Sequence, residues 1–273
     1  MKAIFYITVL FFLFSFSFGF SQDSSNFLED VYDFQPGEQV YLFGNKVKLR
    51  SAPKIESEVL ELLKIGEWVK IIEKTEFSWP YKGYDSPFYK VKYNDQEGYI
   101  LGGLLSFERK TIVGNPYFFA FSKEGERQFL NIRHIYKGVY SEQKVPISHT
   151  NLSIHVLENR GILDVDNILY IDYHAQADGI EDGGIYFFVQ NHALHKIGQL
   201  SQISDSGLFY KSERFVFPDD EDGTPGIILF RKEKGEVLDE ETQWVQTTTE
   251  TRKLLWVEDK LVPNFRQKRL NQR

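Results

Sequence analysis

The sequence predicts an all-β protein: a small barrel followed by a larger antiparallel β domain, either a sandwich or a partial propeller-like array. Three observations predict it. Short runs of β-branched and aromatic residues recur along the chain, separated by Gly, Pro, Asn and Asp clusters. Aromatic residues make up 16% of the 273 residues, with Phe 24 and Tyr 15, a composition that favours strands and supplies a core. Long stretches with helical periodicity are not evident.

The chain opens with Lys2, an apolar run over residues 3–20, and then Gln22, Asp23 and Ser24. That pattern is a secretory signal, with cleavage expected before Gln22. A retained anchor is the alternative, because the run is just long enough to span a bilayer. In both cases the remainder lies outside the cytoplasm, periplasmic or extracellular once the signal is cleaved. Cysteine is absent, so disulfides and a lipid-modified cysteine anchor are excluded and the core alone must hold the fold. A formal net charge of −7 argues against nucleic acid as a partner. Membrane association is expected only if the N-terminal segment is retained.

The divisions follow from composition. After a signal peptide at 1–21, residues 22–37 are a linker or short helix ending in the Pro36-Gly37 turn signal. Residues 38–106 are the barrel, and 107–115 a linker marked by charges and Gly114. Residues 116–265 are a β-rich domain, and 266–273 a basic tail with Arg266, Lys268, Arg269 and Arg273, read as a solvated terminus.

Within the barrel, Val47-Lys-Leu-Arg-Ser-Ala-Pro53 alternates apolar and basic residues and stops at Pro53, which ends a strand. Glu58-Val-Leu-Glu-Leu-Leu63 and Trp68-Val-Lys-Ile-Ile-Glu-Lys74 supply further strands, with Gly66 between them. In residues 88–93, Tyr89, Val91 and Tyr93 share one face while Lys90 and Lys92 share the other. Asn94-Asp95 suits a two-residue hairpin turn before Gln96-Glu-Gly-Tyr-Ile100. Trp68 and Tyr99 are expected in the core.

The order and spacing of Val47–Pro53, Gly66, Trp68-Val69 and the segment from Tyr89 through Gly98-Tyr99 to Leu105 resemble the bacterial SH3-like domain. That resemblance implies an SH3-like barrel and a non-catalytic module, often carried by exported proteins and proposed to bind cell-wall peptides or glycans. Three departures stand out. Ala52 replaces the usual turn glycine, Phe88 stands where Trp is common, and residues 78–87 look like an insertion. Trp79, Tyr81, Tyr84 and Phe88, set among Pro80, Gly83 and Pro87, are therefore the candidate ligand groove. They read as an irregular loop whose rings either stack on a peptide or sugar or seal the open end of the barrel.

In the second half, candidate strands are 117–122, 127–136, 152–157, 168–174, 185–189, 209–217, 227–231, 244–248 and 254–257. Residues 168–197 and 215–237 share a strand, acidic glycine loop, strand arrangement that reads as a loose repeat. Segments 207–213, 215–218 and 254–262 resemble β-rich regions of unknown function that follow SH3-like modules in exported Bacteroidetes proteins.

All six histidines fall here: His134, His149, His155, His174, His192 and His195. His192-x-x-His195 sits in a hairpin turn, where two rings need not converge, so no metal site is expected. The acidic groups Asp164/Asp166, Asp178/Glu181/Asp182 and Asp219–Asp222 offer oxygens without the spacing of a calcium loop, and read as solvated tips. Asp205-Ser206-Gly207 has the core of a serine nucleophile segment but lacks the flanking glycine and histidine context. A cysteine nucleophile is unavailable. The sequence therefore predicts an exported binding protein with no catalytic residues and no cofactor, taking a peptide, protein or cell-wall glycan of the envelope. The alternative is an envelope hydrolase whose C-terminal β domain supplies the chemistry while the barrel targets it.

Overall fold

Alternation of apolar and polar residues produces the first sheet. In the computed structural model, which describes residues 32–266 except 176, 206–207 and 240–243, β1 (Gln39–Tyr41), β2 (Val47–Arg50), β3 (Val59–Leu63), β4 (Trp68–Tyr81), β5 (Tyr84–Tyr93) and β6 (Gln96–Leu101) form a curled antiparallel sheet in the order β1-β4-β5-β6-β2-β3. Val47, Leu49, Val69, Ile71, Tyr89, Val91 and Ile100 point into its core. The β5–β6 hairpin closes at Asn94 (φ 52°), with Tyr93 opposite Gln96, as the sequence predicts. Ala52 keeps φ outside the left-handed region, so that departure from glycine costs the turn nothing.

Two more antiparallel sheets follow. β7 (Glu108–Ile112), β8 (Asn115–Glu124), β9 (Arg127–Tyr136) and β10 (Val139–Ile147) form a four-stranded sheet. The last eight strands run in simple succession: β11 (Leu152–Glu158), β12 (Asn167–Tyr173), β13 (Asp182–Gln190), β14 (Ala193–Asp205), β15 (Phe209–Val216), β16 (Ile228–Asp239), β17 (Trp244–Val257) and β18 (Lys260–Val262). Five of the turns in these two sheets are two residues long, and Val113-Gly114, Lys137-Gly138, Asn191-His192 and Glu258-Asp259 all take positive φ at both positions. That geometry matches the twist of antiparallel pairs.

The stretch 107–115, expected as a linker, carries β7, whose residues 108–112 pair with residues 115–119 of β8. β10 escaped the sequence reading because it is a polar edge strand interrupted by Pro146. β14 escaped it through Gly198 and an irregularity opposite Tyr186 and Phe187. The two short strands expected at 244–248 and 254–257 are one continuous strand, β17, carried through an exposed run of threonines.

The four-stranded sheet packs against both of the others. On one face Tyr117, Phe119, Phe121, Leu130 and Ile132 share a core with Ile154, Leu169, Ile171, Ile185 and Phe187 of the eight-stranded sheet. On the other, Phe118 and Ala120 pack with Phe43, Tyr41 and Ile65 of the barrel. Arg133 of β9 fixes that second contact: its Nη1 donates to the Phe43 carbonyl at 2.7 Å, its guanidinium lies 4.4 Å from the Phe43 ring, and Glu142 holds it at 2.7 Å.

The barrel is also joined to the sheet edge. β7 pairs only as far as Phe119, so the outward amides of β8 beyond it need other partners. Phe119 N–H donates to Ser106 Oγ at 2.8 Å, Phe121 N–H to the Tyr32 hydroxyl at 2.9 Å, and Lys123 N–H to the Lys82 carbonyl at 2.8 Å. The Tyr32 carbonyl in turn accepts the Tyr89 hydroxyl from the barrel. Tyr32 and Phe34, expected in a linker, are thus core residues, and Phe107 and Phe121 stack at 4.5 Å beside them.

A second core fills the other face of the eight-stranded sheet, with Ile168, Phe188, Leu200, Phe215, Phe217, Phe230 and Leu254. Phe265 and Arg266 close it. Phe265 is buried against Phe215 and Phe230, and Arg266 Nη1 reaches the buried Glu213 carboxylate at 2.9 Å. Arg266, expected in a solvated tail, is pinned; Lys268, Arg269 and Arg273 lie outside the described residues, as do the expected signal, Ser206 and Gly207.

Many phenols are held neutral by this packing. Burial pushes Tyr84, Tyr117 and Tyr186 up to about 12, and raises Tyr32, Tyr89 and Tyr170 as well. A raised phenol stabilises the fold fully below its unfolded value and loses that contribution as pH climbs through the folded value. The melting temperature is therefore expected to stay flat up to about pH 10 and to fall steeply toward pH 12, with phenolate absorbance rising in step with unfolding. A smooth phenolate titration centred near pH 10 with no loss of structure would contradict this burial.

Candidate functional site

The candidate residues sit on an ordered hairpin. After an irregularity between Lys74 and Ser78, β4 and β5 pair again, with Ser78 opposite Pro87, Trp79 opposite Ser86, Pro80 opposite Asp85 and Tyr81 opposite Tyr84. Residues 78–87, expected as an irregular loop, are a twisted extension of the barrel. Pro80 is tolerated because β1 pairs with β4 only at Trp68–Lys70, leaving this end of β4 as an edge. Lys82 (φ 48°) and Gly83 (φ 85°) make the turn.

The tip is clamped onto the four-stranded sheet. Besides the Lys123 to Lys82 backbone bond, Lys82 Nζ lies 3.7 Å from Glu142, and burial lowers its pKa against the opposing pull of that carboxylate. A Cβ at Gly83 would sit 2.2 Å from the Lys123 carbonyl oxygen, so no larger residue fits there. At the base, Gly103 admits the Tyr81 ring, which lies 2.8 Å from where its Cβ would be, and Gly103 N–H donates to the buried Ser86 Oγ at 2.7 Å.

Two clefts flank this hairpin, and Tyr81 lines both. The larger, about 450 Å³, lies between the hairpin, the β4 irregularity and the four-stranded sheet, with Tyr32, Thr75, Ser78, Tyr84, Asp85 and Phe121 on its walls. The Tyr84 hydroxyl is buried there without a hydrogen bond of normal geometry; the Gln128 side chain is the polar group that faces it. The smaller, about 210 Å³, lies on the β2 side, with Lys46, Lys48, Arg50, Trp79 and Pro80 on its walls.

Each candidate now has a place. Trp79 is 45% exposed and lines the smaller cleft. Tyr81 and Tyr84 are half-buried. Phe88 is only 2% exposed and pairs across to Leu101, a core position that touches the smaller cleft from beneath. Trp68, expected in the core, is 49% exposed: Val69 and Ile71 take the inward positions of β4, so Trp68 and Lys70 must face out. The sequence reading passed over Lys46, Lys48 and Arg50 as site residues. Their signal was the apolar-basic alternation of β2, which places Lys48 outward beside the hairpin.

In the second half, two histidines and a carboxylate gather around Ser153, while His195 Nε2 lies 4.0 Å from Asp259. Ser153 Oγ lies 2.7 Å from His155 Nε2 and 3.0 Å from His174 Nε2, and Asp172 Oδ2 lies 3.6 Å from His155 Nε2. Serine and aspartate thus meet the same ring nitrogen, whereas a hydrolytic triad needs them on opposite nitrogens. His192 instead stacks on Tyr136 at 4.1 Å and contacts Asn115, while His195 lies against Trp256 at 5.9 Å. Among the described residues no three His, Asp or Glu side chains form a group that could hold a metal ion. Carboxylates of the acidic loops are engaged locally: Asp220 with Arg160 at 2.6 Å, Asp222 with Arg231 at 2.8 Å, and Asp166 with the Asn191 amide at 3.0 Å.

In comparison with known families, residues 45–106 match the family described as bacterial SH3 domain. No curated protein and no solved structure matches the chain. The match covers the curled sheet from the start of β2 to Ser106, and the hairpin of residues 78–87 lies inside it.

Gly83→Ala tests the clamped tip. It is expected to destabilise the protein by at least about 2 kcal/mol in urea unfolding, through a left-handed backbone and a backbone clash together. Gly114→Ala, also at positive φ but with open space around it, is expected to cost only about 1 kcal/mol. Equal losses would show that the hairpin tip is not seated on β8.

Proposed function

We propose that this protein is an exported, non-catalytic binding protein whose SH3-like barrel recognises a peptide or cell-wall component of the envelope. The observation that carries the reading is the seated hairpin of residues 78–87, which holds Trp79 45% exposed at the edge of a cleft while its own backbone is immobilised on β8. A rigidly presented aromatic ring binds at low entropic cost. The bacterial SH3 domain over residues 45–106 supports a binding or targeting role. Export rests on the apolar run at residues 3–20. Among the described residues no helix is long and apolar enough to cross a membrane.

The test is retention of the purified chain on peptidoglycan sacculi and on an envelope protein extract, with Trp79→Ala as the comparison. Retention on one of them, reduced at least about tenfold by Trp79→Ala with an unchanged melting temperature, is expected for an aromatic anchor contributing 1–2 kcal/mol or more. Absence of retention on both, or retention indifferent to Trp79→Ala, contradicts the proposal.

A further inference from the structure

The smaller cleft has a charge character that the larger one lacks. Lys74, Glu76 and Asp85 all line the larger cleft, so both signs are present there. Lys46, Lys48 and Arg50 line the smaller one and no carboxylate does. None of the three cations forms an ion pair among the described residues, although Lys74, Lys82 and Lys90 of the same barrel are paired with Asp33, Glu142 and Glu97. In a chain of net charge −7, an unopposed basic pocket is a local exception.

Arg50 is the deepest of the three. Its residue is 8% exposed, and its one hydrogen bond runs from Nη1 to the Ser57 carbonyl at 3.0 Å. A guanidinium offers five N–H donors, and those of Arg50 that Ser57 does not take are open to solvent or to a ligand. Lys46 and Lys48 stand exposed at the mouth, and the Trp79 ring borders it. A planar carboxylate suits a guanidinium fork, and an apolar group next to that carboxylate would lie against the indole.

We infer that the smaller cleft is an anion-recognition site selecting an acidic peptide, whose carboxylate is received by Arg50 with Lys46 and Lys48 while a neighbouring apolar side chain packs on Trp79. This rests on the reading of the barrel as a binding module and narrows its ligand. Unopposed lysines at the mouth steer the peptide in, and the buried arginine discriminates charge from its neutral isostere.

The experiment is a chemical-shift titration of the full chain with two capped tripeptide amides, acetyl-Phe-Glu-Glu-NH2 and acetyl-Phe-Gln-Gln-NH2. The acidic peptide is expected to bind at least about tenfold more tightly, to perturb the Trp79 indole and the Lys46 and Lys48 amides, and to weaken as salt rises. The doubly substituted K46E/K48E chain, altered only at exposed positions, is expected to lose that preference while keeping its melting temperature. Equal binding of both peptides at Trp79 overturns the charge assignment and leaves the barrel a binding module. No perturbation at Trp79 or Arg50 by either peptide overturns the charge assignment, and if sacculi and envelope proteins are also not retained, the binding reading falls with it.

Discussion

The structure depends on how the exposed edge of β8 is covered. A four-stranded sheet whose first strand stops short leaves N–H groups that must be satisfied or lose the free energy of a buried unpaired donor, about 1–3 kcal/mol each. Here Ser106, Tyr32 and Lys82 supply three acceptors in succession along Phe119, Phe121 and Lys123. One acceptor follows the barrel, one precedes it and one lies at the tip of its longest hairpin. Covering that edge therefore fixes the barrel in position from three separate points of the chain.

The consequence is continuity of the core. Residues from the barrel, the four-stranded sheet and the first strands of the eight-stranded sheet form one buried cluster, with Tyr32 and Phe34 among them and Phe107 packed against it. Domains that merely adjoin usually meet through smaller and more polar surfaces. A shared aromatic seam makes the barrel a fixed part of the whole, and the Arg133 contacts with Phe43 and Glu142 reinforce it on the opposite face. The hairpin that carries Trp79 is held at its tip by β8, and the smaller cleft lies between it and β2.

Much of this was legible from local pattern. The barrel strands follow from period-two alternation around Val47, Val69, Tyr89 and Ile100, and strand 127–136 is bounded as the sequence predicts. What escaped is long-range. Trp68 looks like a core residue by type, and only the register of β4, set by Val69 and Ile71, turns it outward. Residues 107–115 look like a linker because charges dominate, yet β7 needs only Ile112 inside to pair as an edge strand. Tyr32 gave no periodic signal, because its role comes from partners 57 and 89 positions away along the chain. At the candidate site, the aromatic set was visible in residues 78–87, whereas the basic wall was not. Lys46, Lys48 and Arg50 become part of a cleft only when the hairpin folds back beside β2.

Native-state hydrogen exchange measured along a denaturant series tests the shared core most directly. Barrel amides of Val69, Ile71 and Val91 are expected to exchange through the same global opening as those of Ile132, Ile171 and Phe187, with one free energy and one denaturant dependence. Barrel amides that exchange by a separate opening, at a free energy clearly below that of the two sheets, would contradict a shared core.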